Sequence, residues 1–301
     1  MSDKMYTRRT LLRRSAATVG AATVVGTAGC LDRIPNPLGG SSYTAWLPEP
    51  DALEVDTYSF GRYDNEDWVA TEDEFSDDYD ESGIENQWEP ISLSLDDISE
   101  SLYFRSIQVH QAEFDRAELV EDLEDEDYDE EDDIEGYALY LNDDGSRAFA
   151  LNDATFLFTA EYYDYDQSPE DALTAVIEAR AGTEDRYVDE RDAFATLTDA
   201  LKTTSAVDGE TFEDGEDDPA NGSFDEMVAK GSTGTFDGET TQMEWVVVYE
   251  SEDDVDLDDL EEWVDENDTD DERFDDVDDI EYSQSGRVGR ITGTMDTDDY
   301  V

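Results

Sequence analysis

Acidic side chains outnumber basic ones 86 to 18 in this 301-residue chain, a formal net charge of −68, and no other feature limits its fold so tightly. A folded body must keep nearly all of that charge in water, because an unpaired buried carboxylate is strongly unfavourable. The resulting surface repels itself, so compactness depends on screening. Salt at about 1 M shortens the Debye length to about 3 Å, and dilute buffer lets the repulsion return. The same charge opposes phosphate backbones and anionic membrane surfaces, which excludes nucleic acid as a partner. Hydrophobic residues make up only 37% of the chain, yet 11% are aromatic and the apolar positions fall into periodic segments, so a core is expected rather than disorder.

The few cations are unevenly chosen. After residue 29 only Lys202 and Lys230 are lysines, against eleven arginines, and aspartate dominates the acids. This bias resembles the proteins of extreme halophiles, the haloarchaea above all.

The N-terminus reverses that composition. The first thirty residues hold five of the eighteen basic residues and a single acid, Asp3. Thr7-Arg8-Arg9-Thr10-Leu11-Leu12-Arg13 matches a twin-arginine (Tat) export signal centred on Arg8 and Arg9. Ser15–Gly29 is uncharged, too short and too weakly apolar to span a membrane, and suited to a signal-peptide core. It ends at Thr27-Ala28-Gly29-Cys30, where small residues precede the only cysteine as in a lipobox. These motifs resemble those of haloarchaeal Tat-exported lipoproteins. The resemblance implies export through the Tat translocase, cleavage after residue 29, and attachment to the outer face of the cell membrane through lipid on Cys30. Residues 30–44, with Pro35, Pro37, Gly39, Gly40, Ser41 and Ser42, read as a tether.

The remaining chain is expected to be α+β, antiparallel sheets with helices on one face, divided into domains at 45–206 and 207–301. Asp115 and Glu118 form a capping box ahead of Leu119, Val120 and Leu123. Asn142-Asp143-Asp144-Gly145 marks a hairpin turn, and Ser168-Pro169 opens a helix that closes near Gly182. Thr203–Ser223, rich in Gly, Asp, Glu and Thr, reads as a linker. An offset of 87 residues sets Phe158 on Trp245, Leu173 on Leu260 and Ile177 on Val264, which predicts two related strand–helix repeats.

No catalytic set is recognisable. His110 is the sole histidine and alternates with apolar residues as a strand residue would; no nucleophile elbow, P-loop or zinc motif is present. Asp78, Asp80, Ser82 and Glu89 have the spacing of a calcium loop, although Glu85 and Pro90 depart from it, so Ca2+ is the one cofactor weighed and otherwise none is expected. Asn221 and Asn267 begin N-glycosylation sequons. Trp46, Trp68 and Trp88 are candidates for a sugar- or peptide-binding face, with core packing the simpler account.

The expected function is a lipid-anchored extracytoplasmic surface protein, a non-enzymatic binding or interaction module. The alternatives are a carboxylate-dependent hydrolase and a divalent-cation-binding surface protein. The charge itself generates the first prediction. Circular dichroism should show a cooperative thermal transition in molar KCl and loss of folded signal in millimolar salt; superimposable melts in both would refute a salt-dependent fold.

Overall fold

Local signals fix the helices of the computed structural model, which describes residues 42–75, 88, 90–161, 167–212, 222–267 and 274–300. Helix α1 (Asn65–Thr71) starts where Asp64 accepts from the Asp67 amide, and α2 (Arg116–Asp125) where Asp115 accepts from Ala117. Ser168 caps α3 (Pro169–Ala181), with proline at the first turn, and Gly182 closes it at φ 78°. Such an N-cap is worth about 1 kcal/mol, and the left-handed exit favours glycine. Two helices follow, α4 (Tyr187–Glu190) and α5 (Asp192–Ala200), and α6 (Leu257–Glu266) is capped by Asp256.

The strands are β1 (Phe60–Asp64), β2 (Ile98–Phe104), β3 (Ile107–Ala112), β4 (Tyr128–Glu130), β5 (Ala138–Asn142), β6 (Arg147–Leu151), β7 (Thr155–Ala160), β8 (Ala206–Thr211), β9 (Met227–Asp237), β10 (Thr240–Tyr249), β11 (Asp278–Ser285) and β12 (Val288–Asp296). They make one antiparallel sheet in the order β11-β12-β10-β9-β8-β1-β2-β3-β7-β6-β5-β4. The α+β architecture is therefore present, as a single sheet.

Alternation along the strands divides the apolar residues between two faces. On one face Phe60, Leu102, Leu157, Val207, Val246 and Val248 pack against Leu173, Val176 and Ile177 of α3 and Phe194 and Leu197 of α5. On the other face two separate clusters form. One joins Leu119 and Leu123 of α2 to Tyr140, Phe149 and Phe158, with Trp88; the other joins Leu260, Trp263 and Val264 of α6 to Trp245, Val247 and Ile291. Helices thus cover both faces rather than one, because the buried side chains of β5–β7 and of β10 are apolar on either side of the strand.

Two further expectations need correction. The predicted linker contains β8, which pairs Phe60–Tyr63 of β1 on one side and Ala229–Gly234 of β9 on the other. A glycine between acids suggested a loop, but Gly209 leaves room for Phe60 and Leu197, whose atoms lie 2.9 Å from where its Cβ would be, and Asp208 points to solvent. The expected boundary between residues 206 and 207 lies within that strand, and residues 39–301 form one compact unit. The offset of 87 does not repeat a packing unit. Helix α3 covers the face opposite Phe158, whereas α6 covers the face that carries the aligned Trp245.

Beneath the centre of the sheet lies a buried cation. Arg62 is only 4% exposed, donates to Glu100 at 2.6 Å and to Asp64 at 3.2 Å, and also donates to the Thr204 carbonyl at 2.5 Å. Gln111 satisfies the other Glu100 oxygen at 2.8 Å. Arg62→Leu should destabilise the fold by about 3–5 kcal/mol in denaturant titrations, since it strands Glu100 as an unpaired charge. Arg62→Leu/Glu100→Leu should recover part of that loss; a double variant as unstable as the sum of its singles would contradict the pairing.

Candidate functional site

The gap between the two clusters on the second face is a half-open cleft of about 730 Å3. Its floor is the central strands. Gly61 and Tyr63 of β1 lie between Tyr103 of β2 and Asp208 of β8. Glu210, Lys230 and Ser232 continue the floor across β8 and β9, and Trp245 of β10 ends it. Asn65 and Trp68 of α1 rise on one side and Trp263 of α6 on the other. Gly61 matters here because a side chain at that position would project into the cleft, where its Cβ would sit 3.4 Å from the Tyr63 ring.

The aromatic wall is held in place from behind. Tyr63 meets Trp68 and Tyr103 edge-on, with ring centroids 5.7 and 5.8 Å apart. Trp68 packs in turn on Phe75 at 5.1 Å, Phe236 at 5.3 Å and Tyr300 at 6.1 Å. Tyr63, Trp68 and Tyr103 remain half-buried, so each offers a ring surface to the cleft. Burial, and then the nearby Asp208 carboxylate, push the Tyr63 phenol above its usual pKa, so it stays a neutral hydrogen-bonding group.

The polar floor is already internally paired. Ser232 donates to Asp208. Lys230 lies 3.6 Å from Glu210, donates to the Gly222 carbonyl at 3.3 Å, and sits 5.3 Å from the Phe212 ring centre. Among the described residues lining the cleft, two of nineteen are acidic and two basic; Lys230 faces Glu210, whereas the Arg105 guanidinium donates to the Leu53 carbonyl. The described lining is thus sparsely charged for a chain in which 86 of 301 residues are acidic. Asp208 is exposed and Glu210 half-exposed, so both present carboxylate oxygens as hydrogen-bond acceptors on the cleft floor.

His110 stands behind the cleft, fully buried. Asn65 donates to the Ser101 hydroxyl at 2.7 Å, which leaves the hydroxyl hydrogen for His110 Nδ1 at 2.8 Å; Nε2–H then donates to Gln108 at 3.1 Å. The imidazole stacks on Phe156 at 4.6 Å and meets the Trp88 edge at 4.9 Å. Burial lowers its pKa from 6.5 to about 3. A histidine held neutral and out of solvent ties α1 to β2 and β3 and does not serve as a catalytic base.

Of the residues singled out in the sequence, Arg8, Arg9, Cys30, Asp78, Asp80, Ser82, Glu89 and Asn221 lie outside the described residues. Asn267 is half-buried at the end of α6, and its side-chain amide donates to the Trp263 carbonyl at 2.8 Å. Trp46 and Trp88 are core residues, and Trp68 alone of the three candidate tryptophans lines the cleft. Among the described residues no group of three or more His, Cys, Asp or Glu could hold a metal ion. The residues missed were Asp208, Glu210, Lys230 and Ser232; their strict alternation within Ala206–Thr211 and Met227–Thr233 was the available signal.

No family model matches the chain, and no curated protein sequence matches it. Among solved structures, crystal form III of TP0453 gives a TM-score of 0.48 at 8% identity, covering 85% of this chain and 94% of that one. Crystal form I of TP0453 gives 0.47 at 7% identity, over 87% and 95% of the two chains. Overlap at that level says nothing of what this chain binds.

The buried imidazole generates a pH prediction. As pH falls below 6.5 the unfolded chain gains a proton that the folded chain refuses until about 3, so stability is lost as pH falls through that window. In molar salt the loss between pH 6.5 and pH 5 should be about 1.6 kcal/mol, the slope rising toward about 1.36 kcal/mol per unit as the unfolded imidazole becomes fully protonated. His110→Gln should flatten the profile there, and an unchanged slope would show that other groups set it.

Proposed function

We propose that the chain is an exported, lipid-anchored binding protein of a haloarchaeal cell envelope, with its ligand held in the cleft on the central strands. The observation that carries this reading is the cleft itself, a braced aromatic wall beside a sparsely charged polar floor. Pockets of this size with mostly apolar walls and a few convergent polar groups are the usual form of small-molecule sites. The twin arginines, the small-residue run ending at Cys30 and the Pro/Gly/Ser tether support delivery to the outer face of the membrane. Among the described residues no helix is long and apolar enough to cross a membrane, so in this reading attachment rests on lipid at Cys30.

Binding is favoured over hydrolysis by the state of the two floor carboxylates. Neither is buried, and Glu210 pairs with Lys230, an arrangement suited to hydrogen-bonding a ligand. The test is fractionation of the native host in molar salt with mass spectrometry of the N-terminal peptide. The protein should sediment with membranes and begin at a lipid-modified Cys30, and Cys30→Ser should lose the membrane association. An unprocessed chain retaining Arg8 and Arg9 in the soluble fraction would overturn the reading.

A further inference from the structure

The cleft's dimensions and chemistry narrow the class of ligand, an inference that rests on the binding-protein reading above. From Tyr103 to Trp245 the floor crosses five neighbouring strands, β2, β1, β8, β9 and β10. Four strand spacings make that about 19 Å, room for roughly four pyranose rings in a row. We infer that the cleft binds a neutral carbohydrate chain laid across the strands.

Three observations point the same way. The first is charge. Glu210 is paired with Lys230, and Asp208 accepts from Ser232, so the described lining holds its few charges in local pairs and offers a free ion little net attraction. In molar salt, moreover, the reach of any charge is only about 3 Å, and selection falls to stacking and short hydrogen bonds. The second is the order of surfaces. Half-buried rings of Tyr63, Trp68 and Tyr103 lie at one end and the edges of Trp245 and Trp263 at the other. Between them are the carboxylates, the Lys230 ammonium and the Ser232 hydroxyl. A sugar has apolar C–H faces that stack on aromatic rings and hydroxyls that both donate and accept at its rim. Carboxylates take those hydroxyl donors, and the ammonium supplies a donor in return.

The third observation separates sugar from peptide. An extended peptide is usually held by backbone hydrogen bonds to an open sheet edge. Here the floor is a sheet face: β1 pairs with β2 and β8, and β8 pairs with β1 and β9, so their backbone groups are already committed to neighbours.

The experiment titrates the full chain in molar KCl with maltotetraose, cellotetraose, mannotetraose and, as a peptide probe, tetraalanine. Tryptophan fluorescence reports binding, because Trp68, Trp245 and Trp263 line the cleft. At least one tetrasaccharide should bind saturably and tetraalanine should not. Asp208→Asn and Trp68→Ala should each weaken that sugar by roughly tenfold or more, the loss of one good hydrogen bond or ring contact. Asp143→Asn, on the exposed hairpin turn, should change nothing. Trp68 also braces Phe236 and Tyr300, so its variant must retain the native circular dichroism spectrum; the exposed Asp208 gives a variant free of that concern. Binding of tetraalanine in place of the sugars would overturn the carbohydrate class and leave the binding reading standing. Silence from all four probes, or sugar binding indifferent to both cleft variants, would overturn the inference. Membrane fractionation, read separately, would still report on the surface-protein reading.

Discussion

Antiparallel pairing of Phe60–Tyr63 with Ala206–Gly209 is the joint on which the rest of the molecule depends. It joins strands far apart in sequence, so that β1–β7 and β9–β12 become one sheet instead of two. It also lays Gly61 beside Asp208 in the cleft floor. Closing so long a loop carries an entropic cost that grows only slowly with length. Apolar burial on the opposite face offsets it, where Phe60 stacks with Tyr43 at 5.5 Å and meets Phe194 edge-on at 5.5 Å.

The charge imbalance shapes how the scarce arginines are used. In molar salt exposed ion pairs contribute little, and even in dilute solution they are worth about 0–1 kcal/mol. Several arginines are instead placed where the solvent screens less. Arg62 is buried under the sheet; Arg290, about one-fifth exposed, pairs with Glu244 and reaches the Ala200 carbonyl. Arg180 and Arg147 lie over the rings of Trp46 and Phe158 at 5.1 Å. Carboxylates hydrate the outside while Arg62 and Arg290 clamp strands and helices from partly or fully buried positions, and the exposed Arg180 covers Trp46 from the surface. Within the described cleft lining the same economy holds, with Glu210 paired to Lys230 and Asp208 to Ser232.

What could be read from the residues depended on whether the signal was local. Helix caps at Asp115 and Ser168, the exit at Gly182 and the Asn142–Gly145 turn act within a few residues, and they lie where the sequence placed them. Strand β8 reads as a loop in the sequence because its alternation is short and its deciding contacts are distant. Asp208, Gly209 and Glu210 suit a loop by composition, and only Phe60, Leu197 and the partner strands make them sheet. The tryptophans show the same limit: nothing near Trp46, Trp68 or Trp88 tells which faces solvent, since Phe236 and Tyr300, which position Trp68, come from the far end of the chain. The 87-residue offset misled for the opposite reason, as similar amphipathic periods pack on opposite faces once strand register is set.

The central claim is that one sheet runs unbroken through the cleft floor, and native-state hydrogen exchange in molar salt tests it most directly. Amides of β1 and β8 are interior to the sheet in this account and should exchange among the slowest, opening only with global unfolding. If those two strands exchange quickly while β5–β7 and β9–β12 stay protected, the joint is an edge between two independent bodies, and the cleft has no common floor.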